Sequence, residues 1–344
     1  MSAYSPSAEP WLAIGTKRRA VAEFALDNLV WLVFVAAFAL FSATIPNFFQ
    51  LPILLNILEQ STFIGILAVG LTLVVISGEM DLSIESTMAL SAMAAALLFG
   101  SNGAGLGLSL EPGFLNAVVA IAVSLAIGAV VGGVNAYLVV GWQINSFIVT
   151  LASFLWVRGV VVALSGGRSV YGMPDEIRWV AVKSFLGLPM LAWVTAGVFV
   201  VFSVILLKTP FGRHLVMVGG NPIAAYRAGI RVRRLMMTVF VLSGMIAGLA
   251  GYLLAARTSG ATANLGTGML FEVFAAVVIG GVSLKGGVGR LSGVIAGVLL
   301  LSSISTAINV MGMPPHFTQI IRGGLVLAAI LLDTMKTSIR RQLA

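Results

Sequence analysis

The stretch from Pro112 to Val157 constrains this chain most, because it contains no Asp, Glu, Lys or Arg. A helix needs about 20 apolar residues to cross the hydrocarbon core of a bilayer, so this stretch is long enough to cross twice. Gly141, Gln143 and Asn145 lie where the two crossings would separate. The sequence therefore predicts two consecutive transmembrane helices here.

The composition agrees with a protein that crosses the membrane many times. The chain has 344 residues, of which 59% are hydrophobic and only 9% are charged, and its mean hydropathy is +1.06. Soluble domains average about 45–50% apolar and about 25% charged residues, so a soluble enzyme, a disordered protein and a nucleic-acid-binding domain are excluded. With no cysteine and only His214 and His316, the chain lacks the residues for a thiolate or histidine-rich metal site.

Apolar runs of helical length recur along the chain and predict an all-α fold of about ten transmembrane helices. A tail at 1–27 precedes the transmembrane domain at 28–333, and a second tail follows at 334–344. The ten runs fall at 28–45, 53–77, 86–99, 112–140, 146–164, 190–207, 235–256, 271–284, 291–310 and 317–332.

The basic residues predict the orientation in the membrane. If the N-terminus is cytoplasmic, 14 Lys and Arg residues lie on the cytoplasmic side, six of them in the connection at 208–234. The other side then carries only Arg168, Arg178, Lys183 and Arg257. Because positive charges concentrate in cytoplasmic loops, both termini are predicted to be cytoplasmic.

The segment 77–85 carries three carboxylates, Glu79, Asp81 and Glu85, directly between two apolar runs. Carboxylates at such a position are costly unless they face water, a cavity or a polar partner. One interpretation is a broken helix that lines a polar path. The other is a cytoplasmic turn in which Asp81 or Ser83 caps the next helix. The two interpretations are compatible.

A weak internal echo links residues 74–82 (VVISGEMDL) with residues 277–284 (VVIGGVSL), and an apolar run follows each of them. Corresponding broken helices in two halves of a chain are common in transporters. Apolar, glycine-rich sequences also match by chance, so the echo alone does not establish a repeat.

Polar residues inside the predicted spans are functional candidates, because unpaired polar groups are expensive in the bilayer. As a set they suit a pathway for an uncharged, hydroxyl-rich solute. The alternatives are hydrogen bonds between helices, snorkelling at Arg322, and core packing or interface placement for the aromatic residues. The pathway candidates are Glu79, Asp81 and Ser83 of segment 77–85, Asn145 at the break between two spans, Asn56, Gln60, Glu272 and Asn309 within spans, and the aromatic Phe147. The other polar residues within spans are Glu59, Asn135, Arg158, Gln319 and Arg322.

The connection at 208–234 has six basic residues and no Asp or Glu. Asn221 is a favourable N-cap and Pro222 a favourable first helical residue, so a short helix is predicted over 223–228, before Gly229. A short cytoplasmic helix between long spans suits the docking of a peripheral partner. The alternative is a solvated loop whose charges only enforce topology.

Several stretches of the chain, in this order, carry a resemblance to a known family: ISGEMDLS (76–83), INSFIVT (144–150), FGRH (211–214), GGNP (219–222), AAVVIGG (275–281) and 319–333. With them the chain resembles the permease subunits of ribose/xylose/arabinose/galactose-type ABC importers, a group related to the branched-chain amino-acid permeases. The resemblance extends from about residue 46 to 333. Glu79, Glu85, Ser146 and Lys285 depart from the family pattern.

This resemblance implies a non-enzymatic subunit that moves a pentose or hexose across the bacterial inner membrane as part of a homo- or heterodimer of permeases. It also implies ATPase subunits on the cytoplasmic face, which bind ATP and Mg, and a periplasmic or lipid-anchored sugar-binding protein. The ATPase would contact the connection at 208–234, through Arg213, Gly220, Asn221, Pro222, Ala225 and Gly229.

Two alternative functions stay open. The chain could be an ion-coupled secondary transporter that uses Glu79, Asp81 and Glu272, or an ABC permease for branched-chain amino acids. A membrane enzyme is disfavoured, because no Ser/His/Asp order, His-Glu-x-x-His motif or Gly-x-x-x-x-Gly-Lys-Ser/Thr motif occurs. We therefore expect no catalytic residue, no bound cofactor or metal, and no nucleic-acid partner.

Overall fold

The computed structural model describes residues 28–314 and six further helical positions between 317 and 327. The predicted tails and most of the predicted span at 317–332 lie outside the described residues. The helices of the first half are α1 (Leu29–Thr44), α2 (Leu51–Ile76), α3 (Ile84–Phe99), α4 (Phe114–Ala136), α5 (Ser146–Ser165) and α6 (Asp175–Val182). Those of the second half are α7 (Met190–Lys208), α8 (Pro210–Gly220), α9 (Pro222–Arg227), α10 (Val232–Thr258), α11 (Met269–Ile279) and α12 (Leu291–Val310).

Strands contribute little to the described part of the chain. They are β1 (Val170–Tyr171), β2 (Ser184–Phe185), β3 (Leu188–Pro189) and β4 (Gly260–Ala261). The first pairs antiparallel with the last, and β2 pairs with β3 in a hairpin. The predicted helical class is confirmed.

Six helices in the described part of the chain are long and apolar enough to cross a membrane: α2, α4 with its π-helical turn to Gly141, α5, α7, α10 and α12. Three shorter apolar helices, α1, α3 and α11, coincide with the runs predicted at 28–45, 86–99 and 271–284. The last two are short because each neighbours a break in the helical path.

The break after α2 and the break after α11 have the same backbone geometry. Gly78 has φ +88° and donates to the Val75 carbonyl at 3.0 Å, and Gly281 has φ +84° and donates to the Val278 carbonyl at 2.9 Å. The residue after each glycine donates back five positions, at 3.2 Å in both turns. Glycine adopts such left-handed conformations without a side-chain penalty. The sequence echo therefore corresponds to a repeated helix ending.

α4 and α10 form the closest helix pair in the interior. Gly128 and Gly132 on α4, and Gly244 and Gly248 on α10, each lie four residues apart, the small-xxx-small spacing of membrane helix interfaces. A Cβ atom added at any of the four would overlap a carbonyl oxygen of the facing helix. The two backbones therefore touch, which holds the polar side chains further along both helices in register.

The loops collect at two opposite faces of the bundle. At one face the turns at 77–78, 219–220 and 286–287 meet, and Gly287 donates to the Ile76 carbonyl at 2.8 Å. We call it the basic face, because it also carries six Lys and Arg residues of 208–234 together with Lys285 and Arg290. The opposite face carries the β1–β4 pair and the β2–β3 hairpin, and we call it the hairpin face.

Candidate functional site

Asp81 lies at the centre of a buried hydrogen-bond network in the break between α2 and α3. Its Oδ1 atom accepts from the Ser83 hydroxyl at 2.6 Å and from the Ser83 backbone N–H at 3.0 Å; its Oδ2 atom accepts from the Ser243 hydroxyl on α10 at 2.9 Å. The Ser83 oxygen accepts from Asn135 Nδ2 on α4 at 2.8 Å, and Asn135 Oδ1 accepts from Ser153 on α5 at 2.5 Å. All five residues are buried. One carboxylate thus ties the break to three helices.

Glu85, one turn further along, forms a second buried junction. Its Oε1 atom pairs with Arg158 Nη2 on α5 at 2.8 Å, and its Oε2 atom accepts from the backbone N–H groups of Gly268 and Leu270 at 3.1 and 2.9 Å. Arg158 Nη1 donates to the carbonyls of Ala263 and Leu265, at 3.1 and 3.0 Å. The pair therefore holds the segment before α11 against α3 and α5, with the carboxylate at the positive end of α11.

Asp81 contacts both the start of α3, through the Ser83 backbone N–H, and the interior of the bundle. Ser83 occupies the N-cap position of α3, but its side chain makes no capping hydrogen bond. Asp81 reaches Ser243, which lies near the middle of α10. The segment is a break that enters the helix bundle, and Asp81 and Ser83 are enclosed by protein there.

Glu79, in contrast, faces open space. A cleft of about 680 Å³ on the basic face is lined by Glu79, Asn145, Pro222 and Lys285, among others. Asn145 is the N-cap of α5, where its Oδ1 atom accepts from the backbone N–H of Phe147 at 3.0 Å. The cleft thus joins the break at 77–83 to the start of α5 and to α9.

A third group of polar residues lies on α2, α11 and α12, towards the hairpin face. Gln60 donates to Asn56 at 2.9 Å, and Glu59 forms an ion pair with Arg257 on α10. Glu272 is buried and its Oε1 atom lies 3.4 Å from the Ser305 hydroxyl, while Asn309 is exposed at the end of α12. The residues that the sequence predicted for the pathway therefore lie in different places. Asp81 and Ser83 belong to the enclosed network, Glu79 and Asn145 line the cleft, and the others named here lie on α2, α11 and α12.

The helix predicted in the connection at 208–234 is present as α9, one residue earlier at each end than expected. Asn221 caps it by accepting from the Ala224 N–H at 2.9 Å. Ala225 is buried with Val218, Ile230 and Met236 in a small cluster, so α9 is held in place. The predicted cap is confirmed.

The outer side of α9 is apolar. Ile223 and Tyr226 are 67% and 72% exposed, one turn apart, next to Arg227 and Arg231. The end of α8 packs closely against the end of α2, because a Cβ atom added at Gly219 would overlap the Ile76 carbonyl oxygen. The end of α8, which leads into α9, therefore touches the start of the break at 77–83 through backbone contact.

Sequence reasoning missed Ser153 and Ser243, and it named Asn135 and Arg158 only as polar residues within spans. The glycine spacing on α4 and α10 was the available signal, because it predicts that these helices touch and so face their polar residues towards each other. No signal in one sequence pairs Arg158 with Glu85 on another helix.

Broken helices and a cleft inside a bundle of membrane-spanning helices are typical of membrane transporters. The family profile described as "Branched-chain amino acid transport system / permease component" matches residues 53–330, and the chain belongs to this family.

Among curated proteins, the L-arabinose ABC transporter permease protein AraH of Azospirillum brasilense is 36% identical over 337 residues, covering 98% of this chain and 96% of that protein. The ribose import permease protein RbsC of Escherichia coli K12 is 35% identical over 302 residues, covering 87% and 90%. The L-arabinose transport system permease protein AraH of the same strain is 33% identical over 318 residues, covering 90% of each. No solved structure gave a significant match.

Proposed function

We propose that this chain is the membrane-spanning permease subunit of an ABC importer that moves a monosaccharide of the pentose or hexose class. The observation that carries this proposal is the near full-length similarity to import permeases named for arabinose and ribose. Both named sugars are pentoses, so a pentose is the first substrate to test.

We further propose that α8 and α9 couple transport to a separate ATPase, which binds ATP and Mg itself. The exposed Ile223 and Tyr226 provide an apolar patch, and Arg231 lines the same surface pocket. Arg227 follows Tyr226 on α9, and Arg213 is exposed on α8. Aromatic and arginine side chains are the usual anchors of protein interfaces. The capped start at Gly220, Asn221 and Pro222, the buried Ala225 and the left-handed Gly229 (φ +85°) keep α9 in one orientation.

The solute path, in this proposal, runs between the polar group on α2, α11 and α12 and the cleft on the basic face. Asn56, Gln60, Glu272 and Asn309 line the first part. Glu79 and Asn145 line the second, and Phe147 is exposed beside it, in the first turn of α5. Amide and carboxylate groups supply both donors and acceptors for sugar hydroxyls. Asp81 and Ser83 hold the break between the two parts and define its shape.

The remaining features follow from the same proposal. The chain has about ten spans in a domain at 28–333, with the tails at 1–27 and 334–344 and the basic face in the cytoplasm. It lies in the bacterial inner membrane, pairs with a second permease subunit, and receives the sugar from a binding protein at the hairpin face. It contributes no cofactor.

The test is reconstitution in proteoliposomes with the ATPase and the binding protein from the same source. Vanadate-sensitive uptake of radiolabelled arabinose, ribose or another monosaccharide is expected. Uptake of leucine in place of every sugar would identify an amino-acid permease instead. Uptake without the ATPase that collapses with a protonophore would identify an ion-coupled transporter based on Glu79, Asp81 or Glu272.

A further inference from the structure

The tip of the β2–β3 hairpin carries an exposed leucine in a conformation that leucine disfavours. Leu186 has φ +52° and Gly187 has φ +79°, the two positive values of a type I′ turn. Asn or Asp is the usual first residue of such a turn, and a branched side chain there is strained. Leu186 is also 77% exposed. The left-handed backbone and the exposed apolar side chain each cost free energy when the residue is leucine. Their combination at one position indicates that the leucine side chain has a role there.

The helix before the hairpin is amphipathic. On one face of α6, Ile177 is buried, and its carbonyl accepts from the Tyr252 hydroxyl on α10 at 3.2 Å. On the other face, Trp179 and Val182 are exposed. The helix is therefore attached to the bundle through Ile177 and presents Trp179 and Val182 outwards, one turn after the exposed Asp175 and Glu176.

The hairpin continues directly into the apolar surface of α7. Met190, the first residue of α7, donates to the Lys183 carbonyl at 3.0 Å, which extends the hairpin ladder. Trp193, in the first turn of α7, donates from Nε1 to the Phe185 carbonyl at 3.0 Å, and the two rings lie 6.0 Å apart. Most of α7 is exposed within the chain, along a side that includes Val200 and Val204. On a helix long and apolar enough to cross a membrane, this side is available to lipid.

We propose that α6 and the β2–β3 hairpin form an interfacial anchor that inserts into the lipid leaflet at the hairpin face. Trp179, Val182 and Leu186 occupy the boundary between headgroups and acyl chains, and the exposed Lys183 pairs with lipid phosphate. Tryptophans are enriched at this depth because their rings are apolar and their N–H is polar. An attached amphipathic helix with aromatic and aliphatic residues on one face binds the interface in the same way.

The anchor can be tested with single-cysteine variants, since the chain has no cysteine of its own. Leu186→Cys and Val182→Cys would each carry an environment-sensitive fluorophore, in lipid nanodiscs, where both membrane faces are accessible. Asn102→Cys is the matched control, because Asn102 is exposed on the same face, where its backbone pairs with Tyr171. The two quenchers are aqueous iodide and a phospholipid spin-labelled on the acyl chain near its carbonyl.

We expect the labels at Leu186 and Val182 to be quenched severalfold more by the spin-labelled lipid, and severalfold less by iodide, than the label at Asn102. In a Leu186→Asn background, the Val182 label should lose most of its lipid quenching, because Asn keeps the turn but does not enter the acyl region. Iodide quenching at Leu186 equal to that at Asn102 would overturn the proposal. Protection from both quenchers would also overturn it, and would show that protein, such as a second subunit, covers the hairpin.

Discussion

Glu85 and Arg158 form an ion pair inside the helix bundle, in which Glu85 Oε1 lies 2.8 Å from Arg158 Nη2. The same carboxylate also binds the first turn of α11, because its Oε2 atom accepts from the Leu270 N–H at 2.9 Å. The Glu85 side chain is 2% exposed and the Arg158 side chain 18%. Two helices and a loop that are distant in sequence are therefore joined by one charge pair.

Glu85→Ala should destabilise the protein strongly, because it leaves the Arg158 charge buried without its partner. Removing one member of a buried pair costs about 3–5 kcal/mol. Asp175→Ala is the matched control: Asp175 also lies in the first turn of a helix and pairs with an arginine, Arg178, but its side chain is 93% exposed. Exposed pairs contribute about 0–1 kcal/mol. The midpoint of thermal unfolding in detergent measures the difference, and equal midpoints for the two variants would contradict the assignment.

Gly132→Ala should weaken the contact between α4 and α10. A Cβ atom there would overlap the Phe240 carbonyl oxygen, so the helices must separate. Overpacking of this kind costs about 1–3 kcal/mol. Gly133→Ala is the control, since nothing lies within 4 Å of a Cβ atom at that position. Gly133→Ala is expected to unfold at the wild-type temperature, and Gly132→Ala several degrees lower.

Local features of the sequence predicted local structure well. Asn221 followed by Pro222 predicted the start of α9, because a cap and a first-turn proline act within four residues. The echo at 74–82 and 277–284 appeared weak in sequence, yet its two glycines form the same turn. In both cases the determining contacts lie within one helical turn of the residues concerned.

The partners of Asp81 and Glu85 could not be predicted in the same way. Asp81 bonds Ser243, 162 positions away, and Glu85 bonds Arg158, 73 positions away. Hydropathy identifies where a helix crosses the membrane but not which helix it faces, since each span is apolar over most of its surface. The three-dimensional arrangement alone distinguishes enclosed Asp81 from Glu79 in the cleft.

Tyr226→Ala should lower sugar-stimulated ATP hydrolysis of the reconstituted transporter while the permease still folds. Tyr226 is 72% exposed and so contributes little to packing within the chain. An aromatic anchor at an interface contributes about 2 kcal/mol or more, equivalent to a loss of more than tenfold in affinity for the ATPase. Tyr226→Phe is the control and should retain most of the binding. Wild-type affinity of Tyr226→Ala in a pull-down titration would place the docking surface elsewhere.

Asp81→Ala and Glu79→Ala should differ in kind, because one carboxylate is enclosed and the other lines the cleft. Asp81→Ala leaves the hydroxyls of Ser83 and Ser243 without their acceptor, and each unsatisfied buried group costs about 1–3 kcal/mol. The variant should therefore unfold at a lower temperature and transport poorly. Ser243→Ala removes one of the donors and should have a smaller effect on both measurements.

Glu79→Ala should unfold at the wild-type temperature and alter the KM for sugar uptake. A loss of transport in Asp81→Ala with an unchanged unfolding temperature would show that Asp81 acts on the solute directly.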